Sequence, residues 1–360
     1  MRRLSIINKT MFSLLLWLMP IGIIRAQDDF PPTNQAPVAS VTLQSDAILT
    51  QHWVMPTLLD PSATGETDFI RIRGGARMEW FGSHESPKNF LATADSPFKL
   101  MGKRIGAGVV VNSMSYGLYR NLQVSAQGSY KLQIKNNVLS IGLQVGYFHS
   151  KFKGSDLVLY NRPEDNENNP EGEDEEKDSF ETDLPTQDVA AGIVDLGLGV
   201  RFEHPKFHMA VSVQHLTNPT LKLTREGETT TDSRYMEGKL PMTMYFNAGG
   251  NIGINNTLFT LQPSLLLGSD FKKIDAVVEM RATYNRKVTF GVDYRYNRAA
   301  GVVAGLFLKD FYVGYSWEYD YSDSPKGSTG NHELVLGYQF KMDKGGKNNY
   351  SHRSIRIMYQ

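Results

Sequence analysis

The stretch at 121–134, NLQVSAQGSYKLQI, alternates without a break. Leu122, Val124, Ala126, Gly128, Tyr130, Leu132 and Ile134 are apolar, small or aromatic. Asn121, Gln123, Ser125, Gln127, Ser129, Lys131 and Gln133 between them are polar. Successive side chains of a strand point to opposite faces, so such a run makes a strand with one oily side and one wet side. Ordinary strands run to about 5–6 residues. A run this long is what a tilted strand needs to cross a bilayer, which takes about 9–11 residues.

The same period of two recurs along most of the chain. FIRIRGGARMEW places Ile70, Ile72, Ala76, Met78 and Trp80 opposite Arg71, Arg73, Arg77 and Glu79. VLSIGLQVGYF, PMTMYFNAGGNI, KIDAVVEMRATY, KVTFGVDYRY, FYVGYSWEYD and HELVLGYQF divide in the same way. Weaker segments are NFLATAD, RIGAGVVVNS, AAGIVDLGLGVRFE, KFHMAVSVQHL, TLFTLQPSLLL and AAGVVAGLFL. The total is about fourteen, an even number as bacterial outer-membrane barrels require. With the first strand running outward, KNN, HPK, NNT, NRK and KD become short periplasmic turns, with a longer turn around SPFKLMGK. The longest connections, 161–187, 217–240 and 321–331, then fall together on the outer side, as in such barrels. The expected fold is all-β: a closed antiparallel transmembrane β-barrel of about fourteen strands, of the outer-membrane type.

Energy selects the lipid face. A Lys or Arg facing lipid at mid-bilayer costs about 2–4 kcal/mol, and one parity of each strong strand is almost free of charge. On that parity Trp80, Tyr130, Tyr147, Tyr284, Tyr294, Tyr296, Tyr319 and Phe340 lie near strand ends, where an interfacial aromatic girdle belongs. Pro263 removes a ladder donor inside a strand, and a closed barrel has no free edge; a local bulge is expected there. Six glycines, Gly106, Gly108, Gly142, Gly146, Gly197 and Gly199, fall on the inward parity, where small residues relieve crowding or admit a plug.

Composition fits this reading. The chain has 38 basic and 38 acidic residues, which argues against a general polyanion binder. Its 32 Gly and 17 Tyr suit strands and tight inner packing. It has no cysteine, so disulfides, thiolate metal sites, thiol nucleophiles and lipoprotein acylation are excluded. Arg2, Arg3 and Lys9 precede or open the apolar run MFSLLLWLMPIGII, and IRA stands before Gln27. This is the pattern of a signal peptide at 1–26, cleaved between Ala26 and Gln27. A helical anchor is the alternative, but the run is shorter than the ~20 residues a span requires, and Pro20 interrupts it. Residues 27–68 start Pro-rich and then carry Trp53, Val54, Leu58 and Leu59; they are expected to fold into the barrel mouth or lumen from the periplasm. The barrel then occupies 69–341, with an acidic outer loop at 161–187, and 342–360 form a basic tail.

Catalytic chemistry finds little footing. The eight histidines have no metal-ligand spacing, and no G-x-S-x-G elbow marks a serine hydrolase. The glycine clusters lack the strand–turn–helix setting and Lys-Ser/Thr of a phosphate loop. The acidic insert could take calcium, but its spacing is not that of an EF-hand, and a solvated loop is preferred. Neither a cofactor nor an enzymatic activity is expected. Arg71, Arg73, Arg77 and Glu79, with Glu279 and Arg281, form a charged stripe on the lumen parity. It reads as an internal salt-bridge network or as an anion-selective constriction. Asp275, Asp293, Arg295 and Glu318 share that parity and favour the network.

Several stretches, in order, resemble the PorP/SprF family of type IX secretion system outer-membrane proteins of Bacteroidetes. QHWVMPTLLDPSATG resembles the family's opening segment, with Asp60, Pro61, Ser62 and Gly65 in the places of its Asn-Pro-Ala-x-x-Gly ending. RMEWFGSHESPKNF carries Trp80, Pro87 and Lys88 of a first hairpin, and GNHELVLGYQF resembles a closing strand, with His332 and Glu333 at its start. Asp60 and Met55 depart from the usual residues. The resemblance implies a non-enzymatic outer-membrane protein serving type IX secretion or the related gliding and adhesin export. It also implies partners: secreted proteins carrying a C-terminal sorting domain, and a periplasmic peptidoglycan-binding lipoprotein. Loops 161–187 and 217–240 would meet the first. The periplasmic turns and tail residues Lys341, Lys344, Lys347, Arg353 and Arg356 would meet the second. Asp60, Pro61, Gly65, Trp80, Pro87, Lys88, His332 and Glu333 are the candidate partner-contact residues. The rival readings are a passive porin or hydrophobic-solute channel, and a barrel phospholipase that no residue favours.

Overall fold

The computed structural model describes residues 39–43, 48–83, 86–157, 184–225, 236–322, 325 and 327–341. The cleavage point at Ala26 and Gln27, most of the acidic loop, and the tail beyond Lys341 lie outside this set. Fourteen strands form the barrel: β1 Phe69–Met78, β2 Lys88–Leu100, β3 Lys103–Tyr116, β4 Tyr119–Ile134, β5 Asn137–Phe152, β6 Val189–His204, β7 Phe207–Gln214, β8 Thr243–Gly250, β9 Phe259–Ser269, β10 Ile274–Tyr284, β11 Val288–Arg295, β12 Ala299–Leu308, β13 Phe311–Asp320 and β14 Asn331–Lys341. Each pairs antiparallel with its neighbours in sequence. β14 returns to β1, with His332 beside Met78 and Lys341 beside Phe69, so the sheet closes without an edge.

Side-chain parity follows the sequence. Leu143, Phe290 and Val292 on the outer face are 62%, 61% and 58% exposed, far more than a soluble protein tolerates in a contiguous band. The inner face is not wet. Gln123, Gln127 and Gln144 are 6%, 5% and 3% exposed, because residues 49–67 fill the lumen; Gln127 bonds that segment, while Gln123 and Gln144 donate to Asp195 and Gln214 of the wall.

Three local expectations are corrected. The strand from Lys88 does not stop before SPFKLMGK. It continues to Leu100, and only Met101 and Gly102 turn, both at positive φ (50° and 76°), as a tight hairpin requires. Pro97 fits there because pairing with β1 has already ended at Asp95. Pro263 causes no bulge. β9 keeps one register against β10 throughout, while its pairing with the preceding chain lapses at Gly250 and Asn251 and resumes in the same register at Ile252 and Gly253. The missing donor is accommodated by two skipped pairs. Trp80 leaves the lipid face. β1 ends at Met78, Trp80 takes φ 53°, and its indole N–H donates to the inward carboxylate of Asp320 at 3.2 Å. Tyr130, Tyr147, Tyr284, Tyr294, Tyr319 and Phe340 do lie exposed on the outer face, and Tyr296, one residue beyond β11, is exposed at the long-loop mouth.

Connections separate into two ends. At one lie the short turns 101–102, 135–136, 205–206, 285–287 and 309–310, together with 251–258. At the other lie the long connections 153–188, 215–242 and 321–330 with several shorter ones. Over the long-loop end, Ala39–Thr42 runs parallel to Met236–Lys239, which pairs antiparallel with Thr220–Leu223.

Candidate functional site in the barrel lumen

The lumen segment is built from its own sequence. Pro56 and Pro61 each open a single 3-10 turn, Pro56–Leu58 and Pro61–Ala63, where a fixed φ and a missing N–H cost nothing. Asp60 caps the second turn by accepting from the Ser62 amide at 2.9 Å. Its other oxygen meets Arg201 of β6 at 3.1 Å. Gly65 takes φ 61°, and its amide donates to Asp95 at 2.8 Å. Between them, Trp53, Val54, Met55, Leu58 and Leu59 pack on inward apolar residues, including Leu266, Val277, Phe307, Tyr312 and Val335.

Four of the inward glycines, Gly106, Gly108, Gly142 and Gly199, mark where this segment touches the wall. A Cβ on Gly106 would stand 2.1 Å from the Thr64 carbonyl oxygen. One on Gly142 would stand 2.3 Å from Pro61 backbone, and one on Gly199 2.6 Å from the Asp60 carboxylate. Gly146 and Gly197 instead face Ser125 and Gln214 of neighbouring strands.

Wall side chains hold the segment largely by its main chain. The Glu333 carboxylate accepts from the amides of Thr50 and Gln51, both at 2.9 Å. Gln127 donates to the Thr57 carbonyl at 2.8 Å, Ser129 to that of Thr64 at 2.7 Å, and Lys131 to that of Ser62 at 3.2 Å. Ser212 and Gln214 both donate to the Leu59 carbonyl, at 2.6 and 2.9 Å. The polar stripe of β4 is thus matched by a segment far away in sequence.

The arginines of β1 divide between two buried clusters. Towards the short-turn end, Arg71 meets Glu66 at 2.9 Å and Asp95 at 2.6 Å, and Arg73 lies 3.9 Å from Asp95. Arg201 meets Glu203 at 2.9 Å and Glu66 at 3.4 Å. Towards the long-loop end, Arg77 pairs with Glu318, with Glu79 at 3.1 Å and with Glu333 at 3.3 Å. Thr50 bonds Glu318 there at 2.6 Å. Glu279 and Arg281 lie 3.3 Å from each other, with the Arg281 guanidinium 4.1 Å above the Trp53 ring. Asp293, Arg295 and Glu318 also face inward and are buried, but Asp275 is exposed at the long-loop mouth. Burial would raise the Glu79 carboxyl, but Arg77, Arg298 and Arg295 outweigh it and hold it below the usual range; Arg298 stands 2.7 Å away.

The candidates from the closing and first hairpins fall elsewhere. His332 and Glu333 are neighbours on opposite faces. Glu333 is buried in the lumen, while His332 lies on the outer surface of the rim, 2.6 Å from the Tyr315 hydroxyl and edge-on to Phe81. The Pro87 carbonyl accepts from the Glu79 amide, and Lys88 is exposed at the start of β2, so both belong to the rim with Trp80. Sequence reasoning missed Glu66 and Asp95 as partners of the β1 stripe, Arg201, Glu203 and Lys131 as further buried charges near that end, and the buried pair His215–Asp195 at 2.9 Å. Inward parity was the available signal for Asp95, Arg201, Glu203 and Lys131; for Glu66, outside any strand, there was none. The direction of the segment also differs from expectation. It does not enter from the short-turn end: residues 39–43 stand at the long-loop end, and the chain passes down the lumen to begin β1 at the short-turn end with Phe69.

The family model for "Type IX secretion system membrane protein PorP/SprF" matches residues 41–338, covering both the lumen segment and the barrel. The chain belongs to the PorP/SprF family. It is therefore an outer-membrane β-barrel of a secretion-system family. Among solved structures, this PorP/SprF chain is similar to the "CymD monoaromatic hydrocarbon channel" (10% identity, 82% of this chain and 94% of that one, TM-score 0.46). It is also similar to the toluene transporter TodX of P. putida (10%, 78% and 93%, 0.43) and to the outer membrane protein Omp33 of Acinetobacter baumannii (9%, 76% and 98%, 0.41). Among curated proteins no match was found.

Proposed function

We propose that this PorP/SprF barrel serves type IX secretion as a docking and anchoring component, without enzymatic activity and without conducting solutes. Its long-loop face would receive secreted proteins carrying the C-terminal sorting domain. Its short turns would face a periplasmic peptidoglycan-binding lipoprotein. The observation that carries this reading is the filled lumen. Residues 49–67 are buried among wall side chains, and the cavity beside Trp53 and Leu59 is about 20 Å³, room for a single water. A diffusion channel needs a continuous path; here arginine–carboxylate clusters brace the segment at both ends.

Two measurements test it. Purified protein in a planar bilayer should show no steady conductance. Affinity purification from native outer membrane should recover a sorting-domain protein or a periplasmic lipoprotein. Steady porin-like conductance together with recovery of neither partner would favour the rival transport barrel and defeat this reading.

A further inference from the structure

Ala39–Thr42 lies beside Met236–Lys239 in parallel register, Ser40 next to Glu237. Met236–Lys239 and its partner Thr220–Leu223 both belong to the long connection between β7 and β8. Thr224 bridges Ala190 at the start of β6. All of these are at the long-loop end. Leu43, 2% exposed, joins Leu221, Leu223, Met236 and Leu240 in one apolar cluster with Phe148 and Phe152 of β5. The strand is thus packed into that end of the molecule.

The chain then descends. The Ile48 carbonyl accepts from Arg295 at the end of β11, 3.1 Å, and the Thr50 and Gln51 amides reach Glu333 near the start of β14. Both wall groups lie towards the long-loop end. Asp60 meets Arg201, Pro61 lies on Gly142, and Thr64 lies on Gly106. Each of these wall positions is a few residues from a short turn. Phe69 begins β1 at the short-turn end. Residues 49–67 are buried throughout, so the route runs inside the barrel.

We propose that the polypeptide crosses the membrane through its own barrel, so that the amino-terminal arm Ala39–Leu43 belongs to the long-loop face. In an outer-membrane barrel the short turns are periplasmic, which puts the amino-terminal arm on the cell-surface side. The arm then forms part of the surface that an extracellular partner meets, and it is out of reach of a periplasmic one. Thr42 borders an open vestibule of about 640 Å³, whose lining also includes Trp80, Tyr296, Arg298 and Asp320. Reagents in the outer medium reach it there. This placement does not depend on the type IX reading.

The absence of native cysteine gives a background-free test. Single variants Thr42→Cys, Ser155→Cys at the long-loop end and Asn136→Cys in a short turn would be treated with a membrane-impermeant maleimide, on intact and on opened cells. Thr42 should be modified on intact cells within about twofold of Ser155, whereas Asn136 should react only after opening. Modification of Thr42 only in opened cells, or in neither, overturns the proposal. A second variant pair, Ser40→Cys with Glu237→Cys, should form a disulfide under mild oxidation, seen as a reducible mobility shift. Paired strands lie ~4.8 Å apart, within the range a disulfide spans. Failure to form it would remove the arm from the long-loop end.

Discussion

Replacing Arg201 by methionine removes a guanidinium that meets three carboxylates, Asp60 at 3.1 Å, Glu203 at 2.9 Å and Glu66 at 3.4 Å. Two of these carboxylates belong to the lumen segment. Arg201 itself is 1% exposed, so no water replaces the lost partner. A buried carboxylate left unpaired costs about 3–5 kcal/mol. Glu66 keeps Arg71 at 2.9 Å, which favours the lower half of that range. At 1.4 kcal/mol per tenfold, about 3 kcal/mol raises the open population of the segment roughly a hundredfold. Ser62 is 0% exposed, so Ser62→Cys in the otherwise cysteine-free chain reports opening. If closure is fast, its modification rate by a maleimide follows the open population. The rate should rise about a hundredfold in Arg201→Met and fall back most of the way when Asp60→Asn and Glu203→Gln are added. A rate within threefold of the parent's would show that Arg201 does not hold the segment.

Gly142→Val should displace the turn at Pro61, since even a Cβ would stand 2.3 Å from its backbone; conductance events absent from the parent should appear in planar bilayers. Val292→Lys puts a charge at mid-strand on the lipid face and should destabilise the barrel by about 2–4 kcal/mol, measured as the refolding midpoint in vesicles. Glu79 is held below the usual carboxyl range by Arg77, Arg298 and Arg295 against the opposing effect of burial. Its contribution is therefore fully present above the unfolded value, about 4.3, and is lost as pH falls through the depressed folded value. Unfolding by denaturant should accordingly depend little on pH between 5 and 7 on account of this residue, and Glu79→Gln should flatten the loss seen on further acidification.

The barrel was legible because lipid and lumen impose opposite demands on alternate residues. NLQVSAQGSYKLQI states those demands in its letters, and the closed sheet follows once no edge can be left in hydrocarbon. Local exceptions needed pairing to be seen. Trp80 obeys the parity of β1 on paper, but the strand ends at Met78. Pro263 reads as a bulge because the sequence does not show that pairing is lost on only one side, at Gly250 and Asn251.

The interior was decided by the tertiary structure. Period two told that Gln123, Gln127 and Lys131 face away from lipid, but nothing in their spacing says whether water or protein meets them. Gln127 ends against the Thr57 carbonyl and Lys131 against that of Ser62, about seventy positions back along the chain by residue number. Likewise Arg71 announces a charge inside the barrel; its partner Asp95 stands opposite it on the next strand, while Glu66 follows only from how the lumen segment folds into a closed cylinder. Sequence determines alternation, because that is a local contrast with a fixed solvent. Which polar group satisfies which is set by long-range closure, because burial makes an unpaired donor or acceptor costly and favours the partner within reach.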